Sequence, residues 1–111
     1  MKISVKVTKN LLPTLARRMP QETHEITSRS LLRVQEGCRR RSRVETGEMR
    51  DAWAVAFTSP TEGEVFNDSD HVLPNEYGTR FMSAQPMLAP SIDEERPKYI
   101  GEVARMLNNL G

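Results

Sequence analysis

Apolar and polar side chains alternate along the opening of the chain. Ile3, Val5 and Val7 are set against Lys2, Ser4 and Lys6, which predicts a strand with one buried face. Asn10 can cap a short helix from Leu11, with Pro13 tolerated in its first turn. Leu11, Leu12, Leu15, Ala16 and Met19 share a face of that helix, and Pro20 ends it or opens the next. A longer helical period runs from Gln21 to Arg41. Its inner stripe is small-sided (Thr23, Thr27, Leu31, Val34 and Cys38, flanked by Ser30 and Gly37), so another element can approach closely. Glu25, Arg29, Arg33, Glu36 and Arg40 fall on the opposite face.

Beyond Thr46-Gly47, where Thr46 can cap a brief turn through Arg50, the period changes to two. Trp53, Val55 and Phe57 alternate with Ala54 and Ala56, predicting a strand with its large side chains on one face. A Ser-Pro-Thr-Glu-Gly turn leads to a returning strand over 64–67. Asp68, Ser69 or Asp70 can then cap a short helix closed by Gly78, followed by a loop over 79–86. From Leu88 a 3.6-residue period resumes through Ile92, Tyr99, Val103, Met106, Leu107 and Leu110. Its phase survives Pro97, which predicts a kinked helix or two helices meeting near Arg96. The expected fold is α+β: a small, mainly antiparallel sheet packed against a long helix in the N-terminal half and a C-terminal helix, all in one domain over 1–111.

Composition changes this picture little. With 37% hydrophobic and 28% charged residues, no apolar run near the ~20 residues that span a bilayer, and no apolar secretory core at the start, a soluble chain made in the cytoplasm is expected. One cysteine excludes an intrachain disulfide. Charge changes it more. Residues 1–43 hold eleven basic against three acidic residues, a net +8, and the remainder carries a net −7. Such segregation points to nucleic acid, to a second copy meeting the first head to tail, or to halves that interleave in space and cancel.

Candidate chemistry is sparse. His24, His71 and Cys38 lack metal-ligand spacing, so surface histidines and no metal are expected. No local signature joins a nucleophile to a base, and Asp93, Glu94 and Glu95 read as acids near a helix N-terminus. The basic cluster Arg39, Arg40, Arg41 and Arg43 can neutralise phosphates, but no aromatic side chain interleaves with it for base stacking. Cations at a helix C-terminus are favourable without a ligand.

Three ordered motifs add a resemblance. "VETGEMRDAW", "NEYGTR" and "PMLAPSI" before a C-terminal helix resemble the tailed-phage (siphovirus-type) neck family of head–tail joining proteins, often described as minor tail or tail completion proteins. The family pattern is Pro-Val-Asp-Thr-Gly-x-Leu-Arg after a long helix, then Glu-Phe-Gly-Thr, then Pro-Phe-Leu-x-Pro-Ala. Val44, Thr46, Gly47, Arg50, Glu76, Gly78, Thr79, Pro86, Leu88 and Pro90 match it. Arg43 stands for the usual Pro, Glu45 for Asp, Met49 for Leu, Tyr77 and Met87 for Phe, and Ser91 for Ala. The likeness extends over the whole chain in element order and over 44–92 in motif detail.

What the resemblance implies is a structural virion protein, not an enzyme, without cofactor or membrane. It would form a homo-oligomeric ring, six-fold or a multiple, in the neck between head and tail, letting DNA pass. Its partners would be further copies and other connector and tail proteins; its location would be the virion, after assembly in the host cytoplasm. Thr46, Gly47, Arg50, Glu76, Tyr77, Gly78, Thr79, Arg80, Pro86, Met87 and Leu88 would supply subunit or partner contacts. Arg39, Arg40, Arg41 and Arg43 would face DNA in the lumen or a neighbouring subunit. The alternatives are a small nucleic-acid-binding protein using Arg39–Arg43, or a hydrolase whose groups converge only in the fold.

Overall fold

A computed structural model describes residues 3–6, 17–42, 47–59 and 62–108. Expectations for Val7, the Leu11–Ala16 helix, Thr46, Arg43 and Leu110 lie outside them. In chain order the elements are β1 (Ile3–Lys6), α1 (Pro20–Arg41), α2 (Glu48–Asp51), β2 (Ala54–Ser59), β3 (Glu62–Asn67), α3 (Val72–Tyr77) and α4 (Leu88–Asn108). The fold is α+β. Both strand pairings are antiparallel, in the order β1-β3-β2, so β3 is central. Val65 pairs with Val5 on one side and Val55 on the other.

α1 covers the sheet with the predicted small-sided stripe. Thr23, Thr27, Ser30, Leu31, Val34, Gly37 and Cys38 are all buried, joined by Ile26, which the expected stripe omitted. Two glycines set how close the layers come. A Cβ on Gly63 of β3 would lie 2.5 Å from Leu31 Cδ1, and one on Gly37 would lie 2.8 Å from Ser91 Oγ. The helix therefore rests on backbone at β3 and on the first turns of α4.

The sheet departs from expectation at β2. Trp53 is buried but precedes the strand, Val55 is half-buried, and Phe57 is exposed at its end, against the His24 ring with centroids 5.2 Å apart. Phe57 pairs with Gly63, and the register shifts between Phe57 and Ser59. The Trp53 indole N–H instead donates to Ser42 Oγ at 2.8 Å, and that hydroxyl donates to the Cys38 carbonyl at 2.7 Å. One buried serine thus terminates α1 and anchors the ring.

α4 is one continuous helix through Pro97 rather than two. Pro97 is exposed, so water can reach the backbone carbonyl whose amide donor the ring removes. Its inner stripe packs along α1. Leu88, Leu31, Val34, Cys38, Met49, Trp53, Val65, Val72 and Met87 form the main core, while Ile26 and Met106, with Met19, Tyr99 and Val103, form a smaller cluster. Leu107, expected on the inner stripe, is exposed.

Candidate functional site

The Gly47–Arg50 part of the first motif builds a turn. Gly47 caps α2 in the left-handed region at φ 67°, where a side chain is strained, and its carbonyl accepts from Asp51 N–H at 2.9 Å. Met49 enters the core, and its carbonyl accepts from Asn67 Nδ2 at 2.7 Å. Asn67, fully buried at the end of β3, also receives Ser69 N–H at 2.8 Å on its Oδ1. This residue joins the sheet to α2 and to the approach to α3. Among the described residues Arg50 pairs with neighbouring Asp51, at 3.2 Å.

The Glu-Tyr-Gly-Thr-Arg and Pro-Met-Leu-Ala-Pro motifs are two halves of one clamp. Glu76, 6% exposed, accepts Met87 N–H and Leu88 N–H on Oε1 at 2.8 and 2.9 Å, and Ala89 N–H on Oε2 at 3.1 Å. These amides begin α4 and have no partner within a helix, so the carboxylate satisfies them and meets the positive end of the helix dipole. Gly78 reverses the chain after α3 at φ 77°; a Cβ there would lie 2.8 Å from Ala84 N. Gln85 N–H donates to the Asn75 carbonyl at 2.7 Å and closes the loop's base.

This geometry corrects the expected contact surface. Met87 is 1% exposed and Leu88 6%, so both close the chain's own core and Glu76 caps a helix beneath the surface. The clamp draws the apolar run inward because its three N-terminal amides are bound to a buried carboxylate. The exposed remainder is Tyr77, Thr79, Arg80, Phe81 and Pro86. Phe81, absent from the expected set, is 84% exposed, with the Arg80 guanidinium 4.7 Å from its ring centre. Its signal in the sequence was an isolated aromatic in a polar loop, without periodic apolar partners.

The three described members of the basic cluster are paired. Arg40 and Arg41 hold the two oxygens of Glu94 at 2.9 and 2.8 Å, Arg41 also donates to Ser91 Oγ at 3.1 Å, and Arg39 lies 3.8 Å from Asp51. Hydrogen bonds from Arg41 and then Arg40 hold Glu94 well below the usual carboxylate range, at about 2. Further along the seam Arg33 meets Glu95 at 2.6 Å and Glu102 at 2.9 Å, and Arg29 meets Glu102 at 3.7 Å. Its hydrogen bond with Glu95 pushes the Arg33 guanidinium pKa further up. Arg29, Arg33, Arg39, Arg40 and Arg41 of the basic half thus face Asp51, Glu94, Glu95 and Glu102 of the acidic half within one chain.

Nothing among the described residues assembles reactive chemistry. No group of three or more His, Cys, Asp or Glu could hold a metal ion, and His24 and His71 are exposed. Burial pushes the Cys38 thiol up to about 11, away from a reactive thiolate. An open cavity of about 190 Å³ lies between the start of α1 and the end of α4, with Met19, Ile26 and Met106 as its apolar wall and Glu22, Glu25 and Glu102 beside them. No serine, threonine, cysteine or histidine stands among its described lining residues. No described helix is long and apolar enough to cross a membrane.

Comparison of the chain with protein-family models, with curated proteins and with solved structures returns no match. The functional argument therefore stands on these residues and on the resemblance of their motifs.

Proposed function

We propose that this chain is a structural virion protein of a tailed bacteriophage, a subunit of the neck ring that joins or completes the tail at the head–tail interface and lets DNA pass. The observation that carries the reading is the clamp: Glu76 ties two family-like motifs together and holds out Tyr77 at the end of α3 and the loop tipped by Phe81, 70% and 84% exposed. Large exposed aromatics on a firmly based loop are typical of contact residues and supply no catalytic group. The DNA-binding alternative loses support because Arg39, Arg40 and Arg41 already face carboxylates. In the neck reading, Tyr77, Thr79, Arg80, Phe81 and Pro86 make the contacts, while Glu76, Met87 and Leu88 hold them in place.

The test is electron microscopy of the purified protein, alone and with tail-less heads or free tails from an infected culture. Rings in isolation, or stoichiometric addition at a head or tail end, are the expected results. A chain that neither forms rings nor joins either end defeats the reading.

A further inference from the structure

α4 is held unevenly along its length. Its first turns are tied down many times over. Glu76 accepts the Met87, Leu88 and Ala89 amides, and Ser91 Oγ donates to the Met87 carbonyl at 2.6 Å. Arg41 donates to Ser91 Oγ, Glu94 takes Arg40 and Arg41, and the two Glu95 oxygens take Arg33 at 2.6 and 2.9 Å. Leu88 also belongs to the main core, with Ile92 packed against it.

Beyond Arg96 the ties thin out. Among the described residues, the ion pairs of that length belong to Glu102, which meets Arg33 and Arg29. Its apolar anchor is the smaller cluster, where Met106 meets Ile26. The Tyr99 hydroxyl is buried without a hydrogen-bond partner. The two helices also part around the open cavity of about 190 Å³, so the side chains lining it lack packing atoms on one side. Between the clamped and the lightly held lengths lie the two residue types that weaken a helix most. Pro97 removes the amide that would donate to the Asp93 carbonyl. Gly101, one turn on, loosens the backbone, and a Cβ there would meet nothing within 4 Å, so packing does not require its smallness.

We infer that the turn from Pro97 to Gly101 is a hinge: the last turns of α4, Lys98 to Asn108, swing from α1 as an arm while Leu88 to Arg96 stay clamped. Opening breaks the Glu102 pairs and uncovers Ile26 and Met106, and both losses oppose it. Water reaching the Tyr99 hydroxyl and a kink developing at Pro97 favour it. The open state is therefore a minor one, yet reached far more often than global unfolding, because the main core and the Glu76 clamp stay intact. The hinge goes beyond the neck reading and is a property of the purified chain, so its failure leaves that reading standing.

Hydrogen exchange of the unsubstituted protein tests the hinge first. After correction for intrinsic rates, the amides of Lys98 to Gly101 should exchange at least about tenfold faster than those of Ile92 to Arg96. Equal protection on the two sides of Pro97 overturns the hinge. Thiol labelling then separates a swinging arm from fraying at the proline. Met106→Cys places a thiol under the arm, and native Cys38, whose Sγ lies 3.8 Å from the Met87 carbonyl, is the internal reference beneath the clamped turns. With Trp53 emission unchanged, the thiol at position 106 should label at least about tenfold faster than Cys38. Adding Pro97→Ala and Gly101→Ala, which stiffen the helix, should narrow that ratio about tenfold. Two thiols that label together mark one cooperative unit and overturn the hinge, as does a ratio that the stiffened helix leaves unchanged.

Discussion

Replacing Glu76 by Gln changes few atoms and should cost much. The carboxylate is 6% exposed and accepts three backbone amides at 2.8, 2.9 and 3.1 Å. A glutamine keeps one acceptor oxygen for Met87 and Leu88 but turns an NH2 group towards Ala89 N–H, where donor meets donor. One charge-assisted hydrogen bond is worth about 1.5–3 kcal/mol, and the charge at the helix terminus adds to it. We expect Glu76→Gln to lose about 2–3 kcal/mol, and Glu76→Ala, which strands all three amides, about 3–5 kcal/mol. Against a total of about 5–15 kcal/mol the alanine variant approaches the folding threshold, so the glutamine variant is the measurable one. The assay is urea unfolding followed by the single, buried Trp53, with hydrogen exchange read at the amides of Met87, Leu88 and Ala89. Exchange should quicken at those three first. A loss below about 0.5 kcal/mol with unchanged exchange would refute the clamp.

A pair of glycine substitutions separates close approach from free space. Gly37→Ala drives a Cβ to 2.8 Å from Ser91 Oγ and should cost about 1–3 kcal/mol, whereas Gly101→Ala meets nothing within 4 Å in a helix interior and should gain about 0.5–1 kcal/mol; thermal melts decide, and equal shifts would contradict the α1–α4 packing. Cys38, buried and with its thiol pushed up to about 11, should react with a disulfide reagent at pH 8 only on unfolding, so prompt native labelling would count against its burial. Glu94 titrates at about 2 against an ordinary 4.5; a depressed carboxylate stabilises above its unfolded pKa and loses that contribution as the pH falls through its folded one. The melting-temperature advantage of wild type over Glu94→Gln should therefore be complete above about pH 4.5 and gone near pH 2, and an advantage that ignores pH would remove the Arg40 and Arg41 pairing as its cause.

Much of the fold was legible because its signals are local. The α1 stripe from Thr23 to Cys38 repeats at helical spacing, and Gly78 closes its short helix as expected, at positive φ. What escaped was non-local. Pro86 to Pro90 reads the same whether it faces water or a core, and the carboxylate that decides the matter lies eleven residues upstream of Met87. Asp93 to Glu95 looked like acids at a helix start, yet Glu94 and Glu95 serve arginines more than fifty residues away. Phe57 kept its place in the alternation, yet its ring is 42% exposed beside His24, a neighbour from α1 that the strand's own pattern does not contain.

These long-range pairings change how copies of the chain can hold together. A +8 half meeting a −7 half suggested subunits joined by charge, with Met87 and Leu88 adding apolar affinity. Within one copy, however, Arg29, Arg33, Arg39, Arg40 and Arg41 already face Asp51, Glu94, Glu95 and Glu102, and both apolar residues are buried. The pairs made by Asp51 and Glu94 are exposed and weakened by salt, whereas Glu95 and Glu102 are largely buried along the α1–α4 seam and screened less. Substituting Met87 by Asp would bury a charge in the core and unfold the chain before it tested any interface. In the proposed neck ring, association draws on what folding leaves outside, chiefly the aromatic tip that Glu76 holds in place. An apolar contact of that kind is screened far less than an ionic one, so assembly should respond to the loss of one phenyl ring more than to salt.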